Sequence, residues 1–268
     1  MKTYIARRLL ALIPVALVVA TVAFVLIHLA PGDPASIIAG PDATSEDVRR
    51  VEQQLGLDRP LPVQLVQWYG HLLQGNLGRS IFLRKPVTEA ILDRVEPTLL
   101  LTVFALVIAV VIGVPAGVIS ARYHNSAGDQ ALMGLALVGI SVPNFLAGLL
   151  LILAFSVWLG WFPVAGYSPL EYGWLATLRS LVLPAFALGL VQSALIARIA
   201  RSAMLDVLRE QFIVAGRAKG LAERSVVYKH ALKNAMIPTV TVIGISFAVL
   251  ISGAVVIETV FNIPGLGR

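Results

Sequence analysis

The sequence predicts an all-α, polytopic membrane protein with five transmembrane helices and an external subdomain between the first and the second. Three observations carry that expectation. The chain is 57% hydrophobic and 13% charged, with a mean hydropathy of +0.84, too apolar for an ordinary soluble domain of 268 residues. Its charges are segregated: residues 198–234 hold 8 Lys/Arg against 3 Asp/Glu, a net of +5, whereas residues 31–96 hold 7 against 9, a net of −2. Uncharged runs of spanning length recur along the chain. The formal charge of +6 therefore belongs largely to one loop, which favours membrane topology over nucleic-acid binding.

Taken in order, Lys2, Arg7 and Arg8 precede the uncharged run 9–29, whose 21 residues can cross a hydrocarbon core of about 30 Å. The run is longer than a cleavable signal core and lacks an Ala-x-Ala exit, so it is expected to remain as a span with a cytoplasmic N-terminus. Pro31-Gly32-Asp33-Pro34 ends it. The acid-leaning stretch 31–96 is expected outside, with a charged helix at 44–55 capped by Thr44 or Ser45 and an apolar-faced one at 61–73 holding Trp68 and Tyr69. The second span is placed at 97–121, with Gly113, Pro115 and Gly117 near its inner end. After the polar link 122–130, a third is placed at 131–159, interrupted around Ser141-Val142-Pro143-Asn144-Phe145, with Trp158 and Trp161 at the outer interface. Backbone unwound inside a bilayer must face protein or a water-filled path, so Ser141, Pro143 and Asn144 are candidates to line one; a simple packing kink is the alternative. An outside loop, 162–179, leads to a fourth span at 181–197, whose Pro184 and Gln192 stand out, Gln192 as a further path candidate. The fifth is placed at 235–257. Glu258 is an acid adjoining a span, at a helix end where it can reach the interface, and is a candidate gate or interface contact. These divisions give three regions: 1–30, 31–96 and 97–268.

The segment 211–238 stands apart. Leu205, Leu208, Phe212 and Ala215 recur at spacings that can share one helix face. Ala215, Gly216, Ala218 and Gly220 then remove bulk from two successive turns, so another protein's surface can come close, and Gly220 can take the positive φ of a sharp turn. A second helical piece is expected at 226–234. The whole reads as a docking loop.

The order Val214-Ala215-Gly216-Arg217-Ala218-Lys219-Gly220 resembles the cytoplasmic loop of importer-type ABC transporter permeases. Arg217-Ala218-Lys219-Gly220-Leu221, with His230-Ala231-Leu232-Lys233-Asn234-Ala235 and Ile237-Pro238, is similar to the dipeptide/oligopeptide branch, and to the first of its two permease subunits. Two further stretches carry the likeness: Gly56-Leu57-Asp58-Arg59-Pro60-Leu61-Pro62-Val63-Gln64 with Gln74-Gly75-Asn76-Leu77-Gly78-Arg79-Ser80, and the ending Thr259-Val260-Phe261-Asn262-Ile263-Pro264-Gly265-Leu266-Gly267-Arg268. Val214 stands where many of the superfamily carry Glu, so no role of that carboxylate carries over. The resemblance implies a multi-pass protein of a bacterial or archaeal inner membrane. It would pair with a second, homologous permease, receive substrate from an external binding protein, and be driven by two ATP-binding subunits that grip Phe212, Ala215, Gly216, Arg217, Ala218, Lys219, Gly220 and Leu221. ATP and Mg would be bound by those partners, with no cofactor in this chain. The branch also includes importers of nickel, glutathione and other small solutes. Its members have a sixth span after wording like residues 259–268; none follows here, so a longer native product is expected.

No Gly-x-x-x-x-Gly-Lys-[Ser/Thr] phosphate loop occurs, so the chain is not expected to hydrolyse ATP itself. His28, His71, His124 and His230 are scattered without metal-site spacing, and the absence of Cys removes thiolate sites and nucleophiles. No hydrolase elbow or intramembrane carboxylate pair supports a membrane-anchored enzyme. An ion-coupled secondary transporter would need ionisable residues within its spans, and the five runs hold none apart from His28.

Overall fold

Every regular element is helical among the residues that the computed structural model describes, which are 2–29, 33–40, 43–80, 83 and 85–268; the one β contact is an isolated bridge between Arg79 and Pro86. The chain divides into two units, Met1–Ala90 and Ile91–Arg268.

The first unit begins with α1, Lys2–Leu29. Pro31 and Gly32, expected to stop it, lie outside the described residues. The Asp33 carboxylate caps α2, Pro34–Ala39, by accepting from the backbone N–H of Ala35 and Ser36 at 3.0 and 3.1 Å. In α3, Ser45–Leu55, Thr44 is the N-cap and Asp47 returns its bond, a reciprocal capping box. The Thr44 hydroxyl also holds the Asp47 carboxyl below its ordinary range. The aromatic side of α4, Leu61–Leu73, meets α1: the Tyr69 hydroxyl donates to the Leu17 carbonyl at 2.9 Å, and Phe24 lies 4.2 Å from the His28 ring and 5.7 Å from Trp68. Only 6% of the apolar stretch of α1 is buried, leaving an apolar flank of the kind that lipid covers.

The second unit is built around one helix. After α5 (Val87–Arg122), α6 (Ala127–Ser141) and α7 (Asn144–Leu151, prolonged by a wider π-helical turn Ile152–Trp158) comes α8, Trp174–Leu208. The apolar stretch of α8 is 72% buried, against 28% for α5, so α8 is the axis about which the others pack. The chain then passes through α9 (Gln211–Ala218), a single turn α10 (Glu223–Ser225) and a π-helical turn (Val226–Ala231) into α11, Leu232–Val260. A core of Leu101 and Ala105 from α5, Leu181, Leu183 and Leu188 from α8, and Leu250, Ala254 and Ile257 from α11 fills the end of the unit away from α9.

Two glycines one turn apart set the spacing of α5 on α8. A Cβ on Gly113 would sit 2.6 Å from the Ser193 carbonyl oxygen, and one on Gly117 2.5 Å from that of Ala197, so the two backbones touch where side chains would normally separate them. They form one stiff pair.

Among the described residues four helices have the length and apolarity of a span, and α6 with α7 makes a fifth only as a pair bent by 101°. Three expectations change. The second spanning helix starts at Val87, well before Pro97, because Asp93, Arg94 and Glu96 do not interrupt helical geometry even though they interrupt the apolar run. The third is interrupted within 141–145 as expected, but it begins earlier, at Ala127, and the interruption is a sharp bend: Val142 is extended (φ −83, ψ 122) ahead of Pro143, whose ring disfavours helix in the residue before it. The 15 residues of α6 cover about 22 Å, short of a hydrocarbon core. Thirdly, α8 stops at Leu208 and α9 starts at Gln211, so Leu205, Leu208, Phe212 and Ala215 do not share one continuous helix.

At the end of α8 remote from α9, the loop before it is pinned. The Tyr167 hydroxyl donates to Glu96 at 2.6 Å, the Gly166 N–H to the Phe261 carbonyl at 2.8 Å, and the Arg179 guanidinium to the Trp161 carbonyl at 2.9 Å. Trp158 and Trp161 stand exposed there, in keeping with the aromatic belt expected of an interface.

Candidate functional site

The break that shortens α8 creates the site. Glu210 is extended (φ −67, ψ 147), which turns the chain and shifts helical phase, so that Ile213 rather than Phe212 points inward. Ile213 is 1% exposed and packs with Val118 and Ala121 of α5, Ala203 and Met204 of α8, and Val226, Val227, Ala231 and Ala235 beyond it. The opposite face is open: Phe212 and Val214 are 48% and 56% exposed, and Ala215, Arg217, Ala218 and Lys219 are exposed with them.

Gly220 ends α9 at φ +80. Its N–H donates to the Arg217 carbonyl at 2.9 Å, and the Leu221 N–H reaches back to the Gly216 carbonyl at 3.2 Å, the paired bonds of a Schellman cap. Leu221 folds back over Gly216, its Cδ1 3.2 Å from where a Cβ on Gly216 would be, so the glycine leaves room for it. Beyond the turn the Arg217 guanidinium grips Glu223 with two bonds, of 2.7 and 3.1 Å, holding that carboxyl below its ordinary range. Phe212, Ile213, Gly216, Lys219, Leu221 and His230 border a shallow hollow of about 280 Å³ on the same surface. The arrangement is a small-residue helix, braced from behind and free in front, suited to receiving a partner's surface.

All eight residues expected in the docking loop thus fall on α9 or its cap. Glu223, which the sequence reading did not include, is joined to them by Arg217, a pair six residues apart.

The five path candidates are not brought into one cluster. Ser141 ends α6 with its hydroxyl donating to the Leu137 carbonyl at 2.9 Å, Pro143 and Asn144 begin α7, and Gln192 is buried on α8. Asn144 faces α11, its amide nitrogen 3.8 Å from where a Cβ on Gly253 would sit. Glu258 is 0% exposed near the end of α11. It accepts from the Thr98 hydroxyl at 2.5 Å and from the Gly267 N–H at 2.9 Å, while Leu266 N–H donates to the same Thr98 at 2.9 Å. In this chain Glu258 fastens the 261–268 segment to α5. Among the described residues no cluster of His, Asp and Glu is arranged to hold a metal ion.

Helical spans packed about α8, with the short α9 set off from them, define a polytopic membrane protein. Residues 113–268 match the binding-protein-dependent transport system inner membrane component family, and residues 1–102 match the N-terminal part of its membrane component. The chain belongs to this family and is the membrane permease subunit of an ABC importer. It is 45% identical to the glutathione transport system permease protein GsiC of Salmonella typhimurium over 268 residues, 100% of this chain and 85% of that one. It is 46% identical, with the same coverage of 100% and 85%, to a Brucella suis protein named "Putative peptide transport system permease protein". In solved structures, a chain of the MetNI methionine ABC transporter in inward facing conformations superposes with a TM-score of 0.56, covering 68% of this chain and 78% of that one at 21% identity, a likeness of fold.

Proposed function

We propose that this subunit forms one half of the translocation path of an ATP-driven importer of di- or oligopeptides, paired with a second, homologous permease. An external binding protein would deliver substrate, and two ATPase subunits, binding ATP and Mg, would seat on α9. The observation that carries this reading is α9 itself, eight residues with their small and charged side facing outward and Ile213 locked behind. A push on α9 would pass through Ile213 to Met204 and Val118, and so to α8 and α5 together, because Gly113 and Gly117 join them backbone to backbone. The bend at Val142-Pro143 can absorb that motion, and Asn144 at the start of α7 and Gln192 on α8 are the residues proposed to meet substrate. The charge balance supports a cytoplasmic N-terminus and a cytoplasmic α9.

Glutathione is a second reading, favoured by the 45% identity to GsiC. The test is uptake into liposomes holding the whole complex, with labelled di-, tri- and pentapeptides and glutathione competing. Uptake of peptides that requires ATP and the binding protein is the expected result. Exclusive uptake of glutathione would move the assignment to the second reading, and ATP-independent, ion-driven uptake would overturn both.

A further inference from the structure

A buried charged cluster lies beside the docking helix, outside everything assigned above. Asp129, in the first turn of α6, is 3% exposed and takes two bonds of 2.7 Å from Arg201 of α8, through Nε and Nη2. The same carboxylate accepts from the Ser120 hydroxyl, in the last turns of α5, and from the Asn125 N–H at 2.9 Å. Arg201 Nη2 also lies 2.9 Å from His124 Nδ1 in the α5–α6 turn. One carboxylate therefore ties three helices and a turn together.

Its position gives it a task. Arg201 precedes Ala203 and Met204, and Ser120 lies between Val118 and Ala121, all four of them part of the cluster on which Ile213 of α9 rests. At its other end α6 is separated from α7 only by the extended Val142 and by Pro143. So α6 has a hinge at one end and the Asp129–Arg201 fork at the other. Between them α6 packs along α8, with Gly139 beside Ala194, which a Cβ on Gly139 would meet at an ordinary 3.7 Å. A planar two-bond fork fixes direction as well as distance, which an ammonium cannot do. A buried ion pair is in itself weak ground for stability, so its placement is the more informative fact.

We propose that Asp129 and Arg201 are a positioning pair for coupling: they make α6 follow α8 when α9 is displaced, so that the motion arrives at the Val142-Pro143 bend instead of being lost in the α5–α6 turn. The proposal rests on the reading of α9 as the ATPase-docking helix.

The test uses the complete complex in liposomes with three variants, Asp129→Asn, Arg201→Lys and the double Asp129→Asn/Arg201→Gln, which leaves no charge unpaired. All three should retain their ATPase chains and basal ATP hydrolysis, because α9 and its cap are untouched. Substrate taken up per ATP should fall by about tenfold in each, the size of an ordinary coupling contact. The chain has no Cys, so spin labels at Met133 and Leu205 can report the α6–α8 distance. It should stay single and constant through the ATP cycle in the parent protein and broaden in the variants. If the double variant recovered thermal stability and uptake per ATP together, the pair would be structural only and the proposal overturned. A constant label distance in Asp129→Asn would overturn it as well. If instead the parent complex kept its ATPase chains after α9 was disrupted, the docking reading would fail, an outcome separable from either.

Discussion

Replacing Gly220 by Val separates the internal demands of the α9 cap from its external ones. At φ +80 an L-residue is in the left-handed region, at a cost of about 1–2 kcal/mol, with a β-branched side chain toward the upper end. A Cβ there meets nothing within 4 Å of this chain, so backbone strain is the main internal penalty and the methyls add bulk at the turn that closes α9. The backbone can escape the strain only by giving up the Gly220 to Arg217 and Leu221 to Gly216 bonds, which swings Leu221 off Gly216. Either outcome spoils the docking face and spares the spans. If the strain alone is charged against docking, affinity for the ATPase chains should fall by roughly 5- to 30-fold. Gly220→Val is therefore expected to reach the membrane at parental levels, to retain fewer ATPase chains on purification, and to lose substrate-stimulated ATP hydrolysis and uptake in parallel. Gly220→Ala, with the strain but without the methyls, should fall between. Parental ATPase retention and coupled uptake by Gly220→Val would refute the assignment of α9.

Four other outcomes are expected. Gly117→Leu must push α5 from α8, because its Cβ would start 2.5 Å from the Ala197 carbonyl; a loss of at least about 1–3 kcal/mol should appear as a lower melting midpoint in detergent. Thr98→Val withdraws the hydroxyl that serves both Glu258 and Leu266, a deficit of about 1–3 kcal/mol, so the Leu266 and Gly267 amides should exchange hydrogen faster while Thr98→Ser stays near parental. Asp129→Asn takes the negative charge from the two bonds that Arg201 makes to it, a deficit of about 1–3 kcal/mol for hydrogen bonds between charged groups. The melting midpoint of Asp129→Asn in detergent should accordingly lie below that of the parent. Single thiols placed at Asp58 and Glu223 should label from opposite sides of the membrane, Asp58 from outside; the reverse pattern would invert the topology.

What the sequence made legible is what short-range chemistry decides. Thr44 and Asp47 announce the α3 cap because both partners lie within one turn, and Gly220 announces its turn because few other residues tolerate that φ. Helix limits were harder. Hydropathy marks where lipid can begin and is silent on where a helix starts, so α5 extends back through Glu96, Arg94 and Asp93 to Val87. The spacing of Leu205, Leu208, Phe212 and Ala215 suggested one face, but two residues at 209–210 break the helix and bring Ile213 inward instead. Least legible were the polar groups that find partners far along the chain. Asp129 and Arg201 are 72 residues apart, one in the short polar link 122–130 and the other in the basic segment 198–234, and nothing local marks them as a pair.

Glu258 makes the same point from the other side. Read alone, an acid at the end of an apolar run invites a role at a gate, since a lone carboxylate is costly in a bilayer and needs a reason to be there. The reason in this chain is Thr98, 160 residues earlier, together with Gly265 and Gly267. Gly265 leaves free the space its own Cβ would take from the carboxylate, and Gly267 supplies an N–H at 2.9 Å. The carboxyl group is thus held by donors from α5 and from the segment just past α11, and Phe261 and Ile263 in that segment are buried at 2% and 0% exposure. A substitution at Glu258 should therefore loosen residues 261–268 before it alters any path for substrate.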